Sequence, residues 1–109
     1  MAVTGQYGSL PTSSIIGAKP SVARMSIGPE LHLLSLPGET VVEYQLYAQA
    51  LVPEQFLAVA AYGNSTYHYI PTAKMFDEGG YEPDSGAICT RDVEPRYQKA
   101  IAEVLRPLQ

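Results

Sequence analysis

The chain has 109 residues, 46% hydrophobic and 17% charged, which suits one globular domain with a modest core and excludes a largely disordered polymer. Its net charge of −4 and scattered basic residues argue against a nucleic-acid partner, which would want a basic stripe. Cys89 is the only cysteine, so no internal disulfide forms; no apolar run approaches the roughly 20 residues of a membrane span, so no transmembrane segment is expected, and no signal peptide is visible.

Met1 to Pro20 is rich in Gly, Ser, Thr and Pro and reads as a loosely ordered lead-in that touches the body through Ile15 and Ile16. Residues 21–109 then form the domain proper. Val22 to Ile27 alternates weakly, Gly28-Pro29-Glu30 is a turn signal, and Leu31 to Leu36 is a short apolar run; together they predict a β-hairpin. Pro37-Gly38 breaks the second strand. Thr40 with Glu43 forms a potential capping box for a helix over Val41 to Leu51, stopped by Pro53. Phe56 to Ala61 is a second buried strand, so strand, helix and strand predict a βαβ crossover with parallel strands. Tyr62-Gly63-Asn64 closes it.

Thr66 to Ile70 alternates, which on an extended segment points Tyr67 and Tyr69 one way and His68 the other. Thr72 caps a short helix over Ala73 to Glu78 that Gly79-Gly80 ends, and Tyr81-Glu82-Pro83 is expected to leave in extended form. Asp92 or Glu94 caps a last helix whose Tyr97, Ile101, Val104, Leu105 and Leu108 share one face. The fold expected is α/β: a small mixed sheet with a β-hairpin, a βαβ crossover and a C-terminal helix.

Chemistry concentrates in Val59 to Glu82, VAAYGNSTYHYIPTAKMFDEGGYE, a strand running into a loop dense with polar aromatic groups. Tyrosine is over-used throughout, with eight copies against two phenylalanines, and suits surfaces half apolar and half wet. The combination of LPGE at Leu36–Glu39, N-x-x-x-H-Y-I-x-T at Asn64–Thr72 and Y-E at Tyr81–Glu82 resembles the neutral/alkaline ceramidase family over about Lys19 to Leu105. That resemblance implies a zinc amide hydrolase acting on N-acyl sphingoid or similar lipid-like amides. It implies Glu39 and Tyr69 as metal ligands and Tyr81 as the group facing the substrate carbonyl. The family's two histidine ligands lie upstream of the matched part, so the chain resembles the C-terminal part of a larger catalytic domain. Little or no hydrolase activity is then expected from these residues alone, and the missing half, or self-association, is an expected partner.

Other readings stand beside these. Glu39 at a helix start also suits the helix dipole, and Tyr69 and Tyr81 also suit packing. His68, facing away from Tyr69, suits a structural role, and His32 lies too far along its strand to share a metal with Glu39. Cys89 is expected to be an inert thiol. A non-catalytic binding or assembly module would instead leave an apolar face exposed.

Overall fold

The computed structural model describes residues 3–9, 21–63, 68–87 and 89–109. Strands Val3–Ser9 (β1), Ser21–Ile27 (β2), Leu31–Ser35 (β3), Glu39–Thr40 (β4), Phe56–Ala60 (β5) and Tyr69–Ile70 (β6) are interleaved with helices Val42–Leu51 (α1), Ala73–Glu78 (α2) and Val93–Leu105 (α3). The main sheet is mixed and four-stranded, in the order β1-β2-β3-β5, and β4 and β6 form a separate two-stranded ladder. The α/β class, the hairpin, the crossover and the C-terminal helix are all present. No helix among the described residues is long and apolar enough to cross a membrane.

The hairpin forms around Gly28, whose φ of 68° is left-handed and favours glycine, and β2 pairs antiparallel with β3 from Ala23↔Ser35 to Ile27↔Leu31. After α1 the chain returns as β5, parallel to β3 from Leu31↔Phe56 to Ser35↔Ala60. One face of the sheet is covered. Val22, Leu34 and Leu57 point into it and meet α1 through Tyr44 and Ala48 and α3 through Tyr97 and Ile101, all buried. The 3.6-residue spacing of α3 is what aligns its apolar side chains on that face.

The same face holds a polar chain. Arg24, Ser26 and His32 are buried. Arg24 Nε donates to the Val104 carbonyl at 2.8 Å, in the last turn of α3, where the helix end favours a cation. Its Nη1 donates to Ser26 Oγ. Ser26 Oγ lies 2.6 Å from His32 Nδ1, and His32 Nε2 lies 3.1 Å from Gln55 Oε1. Because arginine only donates, the Ser26 hydroxyl is left to donate onward to Nδ1, and Nε2–H then faces the Gln55 carbonyl oxygen. Each buried polar group in the series is satisfied.

Several local expectations need correction. The lead-in over 1–20 contains β1, which pairs with β2 over seven residues, from Val3↔Ile27 to Ser9↔Ser21. Gly5 and Gly8 weaken its intrinsic preference, and the neighbouring strand supplies the ladder that composition hides. Ile15 and Ile16 lie outside the described residues. Thr40 does not cap α1: it belongs to β4, Val41 takes the N-cap position, and no side chain bonds there. Thr72 does cap α2, accepting from Met75 N at 3.3 Å. At α3, Asp92 sits at the cap position but its carboxylate accepts instead from Thr90 Oγ and Arg96 Nε. Glu94 reaches back to accept from Ala73 N at 2.5 Å, so it secures the start of α2. Tyr81-Glu82-Pro83 is not extended: Tyr81 is helical and Glu82–Gly86 forms a π-helical turn. Proline costs nothing at a first-turn position lacking an N–H partner, and Asp84 closes the turn by bonding Gly80 N through its carboxylate and Gly80 O through its own N–H.

Candidate functional site

The carboxyl ends of parallel strands are where α/β folds gather functional groups, and here β3 and β5 end side by side. Backbone bonds zip the two exits together: Leu36 N to Ala60 O at 2.8 Å, Gly63 N to Leu36 O at 2.9 Å and Tyr62 N to Gly38 O at 2.8 Å. Gly38 turns the chain with φ of 80°, and a Cβ there would collide with the Ile70 side chain. The turn delivers Glu39 into β4.

β4 runs parallel to β6 with Glu39 opposite Tyr69 and Thr40 opposite Ile70, and Glu39 N donates to His68 O at 2.8 Å. Two residues 30 positions apart in the chain therefore become lateral neighbours, with backbones about 4.8 Å apart. Two buried tyrosines hold this ladder from beneath. Tyr97 of α3 donates to Pro37 O at 2.7 Å, Tyr44 of α1 donates to Pro71 O at 2.9 Å, and their rings lie 5.4 Å apart. The loop carrying Glu39 and the segment carrying Tyr69 are thus pinned by neighbouring phenols.

Above the ladder stands a second set of tyrosines. The Tyr69 and Tyr81 rings meet edge to face, 5.9 Å between centroids at 85°. Gly86 lies so close beneath the Tyr69 ring that a Cβ would collide with it. Tyr62, at the exit of β5, hydrogen-bonds the Glu39 carboxylate. Tyr81 is 68% exposed and Tyr62 53% exposed, so the cluster opens to solvent.

Its electrostatics are those of a negative spot, with no ion pair to Glu39 among the described residues. The Glu39 charge holds the Tyr69 phenol above its ordinary range, with some burial and the neighbouring Tyr81 and Glu82 adding to it. Tyr62 is raised first by its bond to Glu39, then by burial and by the charges around it. A cation seated between Glu39 and Tyr69 would reverse both effects, since it favours carboxylate and phenolate alike. The donor set suits zinc, which accepts oxygen ligands and takes four in a tetrahedral site. Glu39 and Tyr69 offer two. Among the described residues no group of three or more His, Cys, Asp and Glu side chains surrounds one point.

The structure therefore brings Glu39, Tyr69 and Tyr81 together. His68 is adjacent in sequence but has φ of 59°, so the extended path expected for it does not hold; its carbonyl turns to meet Glu39 N while its side chain is exposed. Thr66 and Tyr67 lie outside the described residues. His32 is 1% exposed in the polar chain under the sheet, with both ring nitrogens engaged there. Cys89 is buried behind the site with its Sγ 3.7 Å from Tyr69 O, and burial pushes its thiol up to about 11, so it stays protonated and unreactive at neutral pH. Tyr62 escapes a reading based on spacing. The signal for it was its place at the carboxyl end of Phe56–Ala60, next to a glycine. Compared with family models, with curated proteins and with solved structures, the chain matches none.

Proposed function

We propose that this chain carries one half of a zinc-dependent amide-hydrolase centre of the neutral ceramidase kind, acting on an N-acyl sphingoid or similar linear amide. The observation that supports the reading best is the β4–β6 register, which sets the Glu39 carboxylate beside the Tyr69 phenol with Tyr81 against it. Glu39 and Tyr69 would hold the metal, and two histidines from outside this sequence would complete it. Zinc, when bound, supplies a water whose pKa falls towards about 7.

The chain's own residues do the rest. Tyr62 fixes the orientation of the Glu39 carboxylate through its hydrogen bond. The Tyr81 hydroxyl, exposed beside Tyr69, donates to the oxygen of the substrate carbonyl as negative charge gathers on it, which stabilises the transition state more than the ground state. The open surface around Tyr81 and Gly80 leaves room for an acyl chain to approach.

Zinc titration followed by NMR tests this. Saturable shifts centred on Glu39 and Tyr69, in the millimolar range for a half-site, are expected, together with tyrosinate absorbance that Glu39→Gln abolishes. Shifts centred on either histidine, with Glu39 and Tyr69 unmoved, would sink the reading. The chain alone should show no amidase activity. With a histidine-bearing complement, activity should appear, and Tyr81→Phe should lower kcat by about 10²-fold with KM little changed. The second reading, a non-catalytic assembly module, is favoured by the uncovered apolar face of the main sheet.

A further inference from the structure

The side of the main sheet turned away from the helices is apolar, open and self-complementary. Register orders its outward positions into three rows across the strands. The first row is Val3, Ile27, Leu31 and Phe56, all large. The second is Gly5, Met25, Leu33 and Ala58, large in the middle and small at the edges. The third is Tyr7, Ala23, Ser35 and Ala60, small on every strand but β1. None of these positions carries a charge, in a chain whose net charge is −4. Phe56 is 67% exposed, and Val3, Met25, Leu31 and Leu33 are exposed with it. A shallow hollow of about 360 Å³ opens where Gly5, Ala23 and Ser35 leave space beside Met25 and Leu33.

We propose that this face is a self-association surface on which a second copy of the chain stacks, sheet to sheet, about a twofold axis lying between the sheets and running across the strands. That axis sets the first row of one protomer over the third row of its partner. On β2, β3 and β5 large residues then face small ones, Phe56 over Ala60, Leu31 over Ser35 and Ile27 over Ala23, while on the β1 edge Val3 faces Tyr7. The middle row faces itself, Leu33 on Leu33 and Met25 on Met25. An axis along the strands would instead set Phe56 on Val3 and Leu31 on Ile27, crowding all four large residues of the first row at one end and setting small Ala23 on small Ser35 at the other, a poorer match for a packed interface. The absence of charge matters for the choice of occupant, because a self-stacked face puts each residue near its own kind and like charges would repel.

The size of the face sets the strength. Four strands about 4.8 Å apart and five residues of about 3.3 Å give roughly 300 Å² in projection. Stable complexes bury about 800 Å² per partner, so this is a weak dimer, with Kd on the order of 100 μM. Screening the mutual repulsion of two acidic protomers tightens it. The two Glu39–Tyr69 sites then sit at opposite ends of the pair. The inference does not rest on the metal-site reading.

Sedimentation equilibrium of the full chain from about 5 to 500 μM, at about 0.15 M and 0.5 M salt, tests it. A concentration-dependent dimer, tighter at high salt, is expected. Leu33→Lys should weaken it at least tenfold while leaving the circular dichroism and Tm of the protomer unchanged; Met25→Lys tests the same row if that variant folds poorly. Ala23→Leu should weaken association, and adding Ile27→Ala should restore it to within about threefold, because the two positions exchange sizes across the axis. A monomer at every concentration would overturn the proposal and leave the face to a layer from a different polypeptide. A dimer indifferent to Leu33→Lys, or a double variant no better than Ala23→Leu, would overturn it as well.

Discussion

Two groups of tyrosines sit on either side of the β4–β6 ladder, and they are used in opposite ways. Tyr44 and Tyr97 are buried, ring against ring, with each hydroxyl spent on a proline carbonyl. Tyr62, Tyr69 and Tyr81 lie at the solvent edge, gathered around one carboxylate. The same side chain serves as a structural pin where its hydroxyl has a fixed acceptor and its ring a packed partner. It remains chemically available at the solvent edge, where the ring is not fully buried. The difference is in surroundings, and it is open to test by substitution on either side.

The largest effect is expected from Tyr97→Ala, which empties a fully buried ring site between α3 and the Pro37 turn; urea denaturation should report a loss of about 3–5 kcal/mol. Tyr97→Phe keeps the ring and removes the bond to Pro37 O, and about 1–2 kcal/mol should go. Hydrogen exchange at Glu39 N and Tyr62 N should quicken in that variant. Tyr81→Phe, by contrast, should leave the denaturation midpoint unchanged, since its ring is exposed. If the two phenylalanine variants proved equally damaging, the division into pins and site groups would fail.

Alkaline pH separates the groups next. Burial, and after it the Glu94 charge, holds the Tyr44 phenol well above its ordinary range. The unfolded chain releases that proton near pH 10, so above about pH 10 the folded state binds more protons and stability falls as pH rises. Below that pH the contribution is intact. Cys89, raised to about 11, acts with the same sign, and its share begins to fall from about pH 9. Tyrosinate absorbance should therefore show one class ionising without unfolding and one ionising only with it. The smallest effect is that of Glu39→Gln, which removes the charge raising Tyr69 and leaves Tyr62 a neutral acceptor in place of a carboxylate; both phenols should titrate lower, by NMR of the ring resonances, with no change in Tm.

Local sequence carried the hairpin, the crossover and the caps of α2 because each depends on neighbours in the chain: Gly28 for its turn, Thr72 for its cap, Gly79 with φ of 79° for its stop. The meeting of Glu39 with Tyr69 was legible only as a consequence of parallel strands ending together, reinforced by the motif resemblance. What escaped was set at long range. β1 is glycine-rich and is a strand because β2 pairs it. The start of α1 is held by the ladder beside it, and Glu94 serves another helix than its own. Tyr62 gains its role from a carboxylate 23 positions earlier that spacing does not connect to it.

The bond from Arg24 to the Val104 carbonyl joins positions 80 apart. During synthesis the guanidinium emerges long before its acceptor, whereas Ser26, His32 and Gln55 find one another within the preceding part of the chain. The hairpin thus gains the last bond of its polar interior only when the C-terminal helix docks. A nascent chain halted before α3 would leave that guanidinium on an uncovered, hydrated face of its sheet, so the inner face is completed only when the final turn of that helix docks.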